Sequence, residues 1–171
     1  MTFDPQPFLV GPHVRLRPLQ AEDHDELYGV ARDPMIWEQH PTPDRYRSDD
    51  FDAFFEDAIR SGGALAIMDS AGALIGSTRF HGHDPAAREV EIGWTFLARS
   101  YWGGATNREV KRLMLEHAFQ SVDRVVFLIG PQNHRSQRAV EKLGARRVGE
   151  RLDGSGRNSV LYELCRDDMM R

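Results

Sequence analysis

The sequence predicts an α/β fold of the mixed (α+β) kind, with a central, mostly antiparallel sheet flanked by about four helices. Three observations predict it. Ala64–Met68 and Ala73–Phe80 are short apolar runs on either side of Asp69-Ser70-Ala71-Gly72, the pattern of a hairpin with a four-residue turn. Further on, a β-rich run at Arg88–Leu97 passes through Gly103 and Gly104 into a helix near Thr106, and a second β-rich run follows at Arg124–Ile129. Early hairpins with a late β-α-β unit give a mixed sheet. The 171 residues suit one domain spanning 1–171, large enough for a substantial core.

Taken in order, Val14-Arg15-Leu16-Arg17-Pro18-Leu19 alternates apolar and polar residues before meeting a proline, which reads as an edge-like strand. Ala21–Arg32 is helical, with Leu27, Val30 and Ala31 on one face and Glu22 and Asp23 at its positive end. Pro34, Pro41 and Pro43 break the next stretch, in which Met35, Ile36 and Trp37 read as core filler. Ser48–Arg60 forms a helix with Phe51, Phe54, Phe55 and Ile59 on a buried face, ended by Ser61-Gly62-Gly63. His81-Gly82-His83-Asp84-Pro85 reads as a turn before the central strand. Asn133–Leu143 is a helix capped by Asn133 and stopped by Gly144, and Arg146–Arg151 and Arg157–Leu164 are two closing strands. The order is β-α-α-β-β-β-α-β-α-β-β.

Composition excludes several function classes. A formal net charge of −4 argues against a nucleic-acid partner, which calls for a basic surplus. No segment approaches the roughly 20 apolar residues of a membrane span, and Met1–Gln6 lacks a signal-peptide pattern. Cys165 is the only cysteine, so neither a disulfide framework nor a cysteine-rich metal site is available. The expectation is a cytoplasmic protein without a metal; a homodimer is left open. His81 and His83 have strand spacing for two ligands but no third, and His117 reads as a core histidine.

Three constellations could carry chemistry. In Arg99-Ser100-Tyr101-Trp102-Gly103-Gly104-Ala105-Thr106 a strand-to-helix turn would leave free N–H groups at a helix's positive end, a cradle for phosphate. A tight turn without ligand explains the glycines equally well. The spacing of Thr106-Asn107-Arg108-Glu109 predicts a capping box. Second, alternation places Glu89, Glu91 and Gly93 on one strand face and Val90, Ile92 and Trp94 on the other. Glu91 on a half-exposed strand would simply face solvent; buried, it would have a raised pKa suited to proton abstraction. Third, Asn133-His134-Arg135-Ser136-Gln137-Arg138 with Lys142 could hold phosphates or form a solvated helix face.

Together these pieces resemble the GNAT superfamily of acyl-CoA-dependent N-acyltransferases, in particular its ribosomal-protein N-terminal (alanine/serine) acetyltransferase-like branch. The resemblance runs from Leu9-Val10-Gly11-Pro12-His13-Val14-Arg15-Leu16-Arg17-Pro18-Leu19 through Glu91-Ile92-Gly93-Trp94, Tyr101-Trp102-Gly103-Gly104-Ala105 and Asn133-His134-Arg135-Ser136 to Glu141-Lys142-Leu143-Gly144-Ala145. It implies acetyl-CoA as co-substrate, with the pyrophosphate on the N–H groups of Gly103, Gly104, Ala105 and Thr106, flanked by Trp102 and Asn107. It also implies a pantetheine arm along Trp94, Thr95, Phe96 and Leu97, a contact from Asn133, and Arg138 and Lys142 near the adenosine end. Glu91 matches the general-base position. The implied activity is acetyl transfer to a primary amine, a protein N-terminus or a small amine, by direct attack in a ternary complex.

The sequence departs from the family pattern at Ser100, at Thr106-Asn107, and at Val140, where many members carry a tyrosine acid. A non-catalytic acyl-CoA-binding or sensing domain, or a structural module, therefore stays open.

Overall fold

The architecture comes from a computed structural model, which describes residues 2–169. Its strands are β1 (Leu9–Val10), β2 (Val14–Pro18), β3 (Ala64–Asp69), β4 (Leu74–Asp84), β5 (Glu89–Leu97), β6 (Arg124–Ile129), β7 (Arg146–Leu152) and β8 (Asn158–Cys165). The helices are α1 (His24–Ala31), α2 (Ser48–Ser61), α3 (Thr106–Ala118), α4 (His134–Lys142) and the short α5 (Arg166–Met169). All eight strands join one sheet in the order β1-β2-β3-β4-β5-β6-β8-β7. Every neighbouring pair is antiparallel except β5 and β6, which are parallel and joined through α3. Among the described residues no helix is long and apolar enough to cross a membrane.

Each face of the sheet carries its own core, because strand side chains alternate between faces. On one face Leu16, Leu65, Ile67, Val90 and Ile92 pack with Val110, Met114 and Leu115 of α3. On the other, Ala64, Ala66, Leu74 and Phe96 pack with Leu27, Trp37, Phe51, Phe54 and Phe55. The phenylalanines expected on one face of α2 are there, and the helix ends at Gly62, whose φ of 68° suits glycine.

Several sequence expectations are corrected by tertiary contacts. The Val14 strand is not an edge: Leu9–Val10 pairs along one side of it and β3 along the other, and Val14 and Leu16 are fully buried. Two residues were too few to show periodicity as a strand. The Ala21–Arg32 helix is split into a 3-10 turn (Ala21–Asp23) and α1. There the Asp23 carboxylate accepts two bonds from Arg17, at 2.8 Å each, and one from the Gln20 N–H. All of the expected His81–Pro85 turn but Pro85 lies inside β4, which runs through Asp84. The reversal follows at Pro85–Arg88, where Asp84 Oδ1 accepts the N–H groups of Ala86 and Ala87.

The capping box predicted at Thr106–Glu109 does not form. The Glu109 carboxylate instead reaches the start of β2 and accepts the N–H groups of His13 (3.0 Å) and Val14 (2.6 Å). A residue whose spacing suggested a local cap ties α3 to a strand far away in sequence. Among the described residues the first turn of α3 receives no side-chain cap.

Candidate active site

The β5–β6 pair makes the site possible because it pairs over only three positions, Glu89 with Arg124, Val90 with Val125 and Glu91 with Val126. Beyond Glu91 the strands diverge, and the edge of β5 facing β6 has no ladder partner. A gap of this kind at the carboxyl ends of parallel strands is where α/β sheets bind ligands. Glu91 stands at the fork.

A bulge on the opposite edge of β5 reshapes its second half. Arg79 pairs with Gly93 and Ser77 with Phe96, so one β4 residue faces Trp94 and Thr95 together. Trp94 adopts a φ of 53°, unusual for a residue with a bulky side chain. The extra residue corrects the predicted alternation: Trp94 lies on the Glu91 face, its ring 5.1 Å from that of His81, which pairs with Glu91 across the strands. Periodicity alone cannot reveal a bulge, so the parity was right through Gly93 and wrong at Trp94.

Glu91 is partly buried, and burial pushes its carboxyl up to about 7, against the opposing pull of Arg151. Nearby Glu89 is neutralised by Arg124 (2.8 Å) and Arg151 (3.0 Å), whereas Glu91 has no side-chain hydrogen-bond partner among the described residues. The two carboxylates of one strand thus have different environments, Glu89 held in ion pairs and Glu91 raised toward neutral by burial.

The turn after β5 begins with a 3-10 segment (Arg99–Tyr101) held from both sides. Arg99 pairs with Asp33, and the Tyr101 hydroxyl donates to Asp69 Oδ2 at 2.9 Å. Trp102 Nε1 donates to the Leu97 carbonyl at 3.0 Å, and its ring lies beneath the Arg135 guanidinium at 3.9 Å. Gly103 has φ 74°. Among the described residues, no protein acceptor takes the N–H of Gly103, Gly104, Ala105, Thr106, Asn107 or Arg108; the next amide, Glu109, bonds Ala105 O at 2.9 Å. A Cβ added at Gly103 or Gly104 would meet nothing within 4 Å. Six amides without a protein acceptor among the described residues, at a helix's positive end, fit a diphosphate.

The other residues singled out in the sequence lie on β5 and on or beside α4. Phe96 and Leu97 are buried in opposite cores, and the Thr95 hydroxyl is engaged with Thr78 at 2.8 Å and Lys111 at 2.8 Å, which leaves the backbone of this segment as its contribution to a ligand. Asn133 caps α4 through its side-chain oxygen, which accepts the Ser136 N–H at 3.3 Å. Arg138 and Lys142 are exposed on α4. Arg135 is the α4 cation that reaches the turn, through the Trp102 ring.

Sequence reasoning missed Lys111, Arg45 and Arg79. Lys111 is only 4% exposed, and its ammonium donates to the neutral groups Thr95 Oγ1 (2.8 Å) and Asn107 Oδ1 (3.3 Å). Burial pulls it down to about 7. The signal was present, because Lys111 shares the apolar stripe of Leu115 and Ala118 on α3. The fold thus binds fewer protons at this site than the unfolded chain between about pH 7 and the ordinary lysine value of 10.5. Stability should therefore rise with pH across that window, the penalty being fully present below it. We expect Lys111→Met to raise stability at pH 7 by roughly 2–4 kcal/mol, read by urea denaturation, with the gain shrinking as pH approaches 10. An equal or lower midpoint at pH 7 would contradict the assignment.

Comparison with known proteins follows the same outline. A family model described as an acetyltransferase (GNAT) domain matches residues 13–146. A protein from T. thermophilus, solved as a candidate acetyltransferase, shares 30% identity at a TM-score of 0.78, over 98% of this chain and 93% of that one. A GCN5-related N-acetyltransferase from Brucella melitensis has a TM-score of 0.80 at 22% identity, over 95% of this chain and 80% of that one. Mycobacterium smegmatis RimJ in complex with CoA-disulfide has a TM-score of 0.75 at 20% identity, over 99% and 93%. No curated protein matches the chain significantly.

Proposed function

The chain belongs to the GNAT acetyltransferase family, and on that footing we propose that residues 1–171 form one N-acetyltransferase domain that moves an acetyl group from acetyl-CoA to a primary amine. The observation that carries this reading is the row of free amides from Gly103 to Arg108 at the mouth of the β5–β6 fork, with Glu91 at its apex. The similar fold of a CoA-containing RimJ complex supports the choice of ligand.

Acetyl-CoA supplies an activated thioester. The N–H groups of Gly103, Gly104, Ala105 and Thr106 hold its diphosphate, with Trp102 and Asn107 beside them. The Trp94–Leu97 backbone guides the pantetheine arm toward Glu91, its N–H groups polarising the thioester carbonyl. Asn133, Arg138 and Lys142 flank the adenosine side from α4. Glu91 takes the proton that the ammonium acceptor must lose before attack. The amine nitrogen then bonds the acetyl carbon, the carbon–sulfur bond breaks, and the second proton shed by the new amide nitrogen passes through solvent to the departing thiolate. Val140 is buried in the core where other members place a tyrosine, so no acid is assigned there.

A base near 7 is closely matched to an α-amino group at about 8 and poorly matched to a lysine side chain at about 10.4. That match supports an α-amine acceptor, in keeping with the N-terminal acetyltransferase-like branch. The test pairs thermal shift by CoA with release of free thiol across short peptides and small amines. A CoA-induced rise in Tm together with turnover supports the proposal. A rise without turnover on any amine favours a binding domain, and no rise removes CoA from the account.

A further inference from the structure

A buried and a half-buried arginine, Arg79 and Arg45, lie on the Glu91 face of the sheet with guanidinium donors that find no acceptor among the described residues. Arg79, on β4 opposite Gly93, is 2% exposed. Its Nη1 donates to Asp57 at 2.8 Å, while its Nε and Nη2 are buried without a partner among the described residues. Its guanidinium lies 4.3 Å from the Trp94 ring and 5.9 Å from Phe54. Arg45 comes to the same Phe54 ring from the segment between α1 and α2, at 4.5 Å, and also lies over Trp37 at 5.3 Å. Its Nη1 reaches only His40 Nε2, at 3.4 Å, and its buried Nε is unpartnered among the described residues.

Of the carboxylates facing Arg45, Asp57 and Asp50, only Asp57 bonds either arginine among the described residues. Burial, with Arg45 and Arg157 nearby, pulls His40 down to about 3, so it is neutral, and Arg157 itself donates to Thr42 of the same segment. Asp57 is the one carboxylate bonded here, and its side chain is 64% exposed. Aromatic faces stabilise a guanidinium but offer no lone pair in the plane of its N–H groups. Buried charge-bearing donors left unpaired are costly, and a planar fork of this kind matches a carboxylate. The positions also suit one ligand. Arg79 lies opposite Gly93, two residues along the strand from Glu91, a separation of roughly 7 Å between backbone positions. An amine at Glu91 and an anion at Arg79 could belong to one small unit.

We propose that the acceptor is an amine that also carries a carboxylate, seated between Arg45 and Arg79 while its amino group faces Glu91. This rests on the acetyltransferase reading above and narrows its substrate class. The carboxylate comes either from a free amino acid or from an acidic residue at a peptide's N-terminus. Asp49, Asp50, Asp52 and Glu56, acidic residues that could attract a cationic amine, lie exposed on α2 as a solvated helix face.

The experiment measures acetyl-CoA-dependent thiol release for matched pairs: the free amino acids against their amides, and peptides beginning with Asp or Glu against those beginning with Asn or Gln. In at least one arm kcat/KM for the carboxylate member should exceed that of its neutral partner at least tenfold, and the arm that shows it identifies the source. Arg45→Gln should collapse that ratio toward one, mainly through KM, with Arg79→Lys as a second variant that keeps a charge but loses the fork. CoA-induced thermal shift checks that each variant is folded. No preference for the carboxylate member, a preference unaltered in a folded Arg45→Gln, or CoA binding without turnover of any pair would each overturn the proposal while leaving the cofactor site intact. Loss of CoA binding in the wild type would instead bring down the acetyltransferase reading, and this inference with it.

Discussion

Glu91→Gln should lower kcat by about 10²–10⁴-fold while leaving the affinity for CoA within about twofold of wild type. The amide keeps the shape of the carboxyl but cannot take a proton, and among the described residues the Glu91 side chain makes no hydrogen bond whose loss would disturb the diphosphate cradle. The pH profile separates this from a loss of structure. In the wild type, kcat/KM should rise tenfold per pH unit up to about 7, where the Glu91 carboxyl ionises, with a second limb near the acceptor's own pKa. In the variant only the acceptor's limb should remain. Stability moves the other way. A carboxyl raised from its ordinary 4.5 to about 7 makes the fold bind more protons than the unfolded chain in that window. The wild type therefore loses stability as pH rises through it, and the glutamine variant should be at least as stable at pH 8. Wild-type turnover with an unchanged pH profile would remove Glu91 from the base's role.

Gly104→Asp should abolish CoA binding without unfolding the protein, weakening the affinity by at least about 10²-fold. A Cβ at Gly104 meets nothing within 4 Å, and Gly104 is absent from the glycines with positive φ, so the substitution strains neither packing nor backbone. What it introduces is a carboxylate at the positive end of α3, which competes with the diphosphate for the same N–H groups and repels its charge. The melting temperature without ligand should stay within a few degrees of wild type, and the CoA-induced shift should vanish. Gly104→Ala is the companion variant, expected to retain most of the affinity because it adds bulk without charge. Full CoA affinity in Gly104→Asp would place the diphosphate elsewhere.

These two positions also mark how far the sequence could be read. The glycine pair before Thr106 showed where β5 would hand over to α3, because a strand run, small residues and a helix start are all local signals. It could not show that the amides stay free. That depended on Glu109 abandoning its local cap for the N–H groups of His13 and Val14 across the fold. Glu91 was legible as a carboxylate in an apolar strand, but not as a group with a raised pKa. Its burial, and the charges of Arg151, Asp153 and Arg79 around it, come from segments distant in sequence. The bulge at Trp94 left no trace in periodicity, yet it decides which face the indole shares with Glu91. Arg45 and Arg79 were invisible for a related reason. An arginine among polar loop residues or in a strand reads as solvated until aromatic rings from α2, β5 and the Pro34–Trp37 turn are seen to enclose it.

The central claim is that the free N–H groups after β5 grip the diphosphate and so deliver the thioester to Glu91. Titrating the 15N-labelled protein with CoA and following the backbone amides tests it most directly. The account predicts the largest, downfield proton shifts at Gly103 through Arg108, with smaller ones along Trp94–Leu97 and at Asn133. Saturable binding that leaves the Gly103–Arg108 amides unmoved would contradict it.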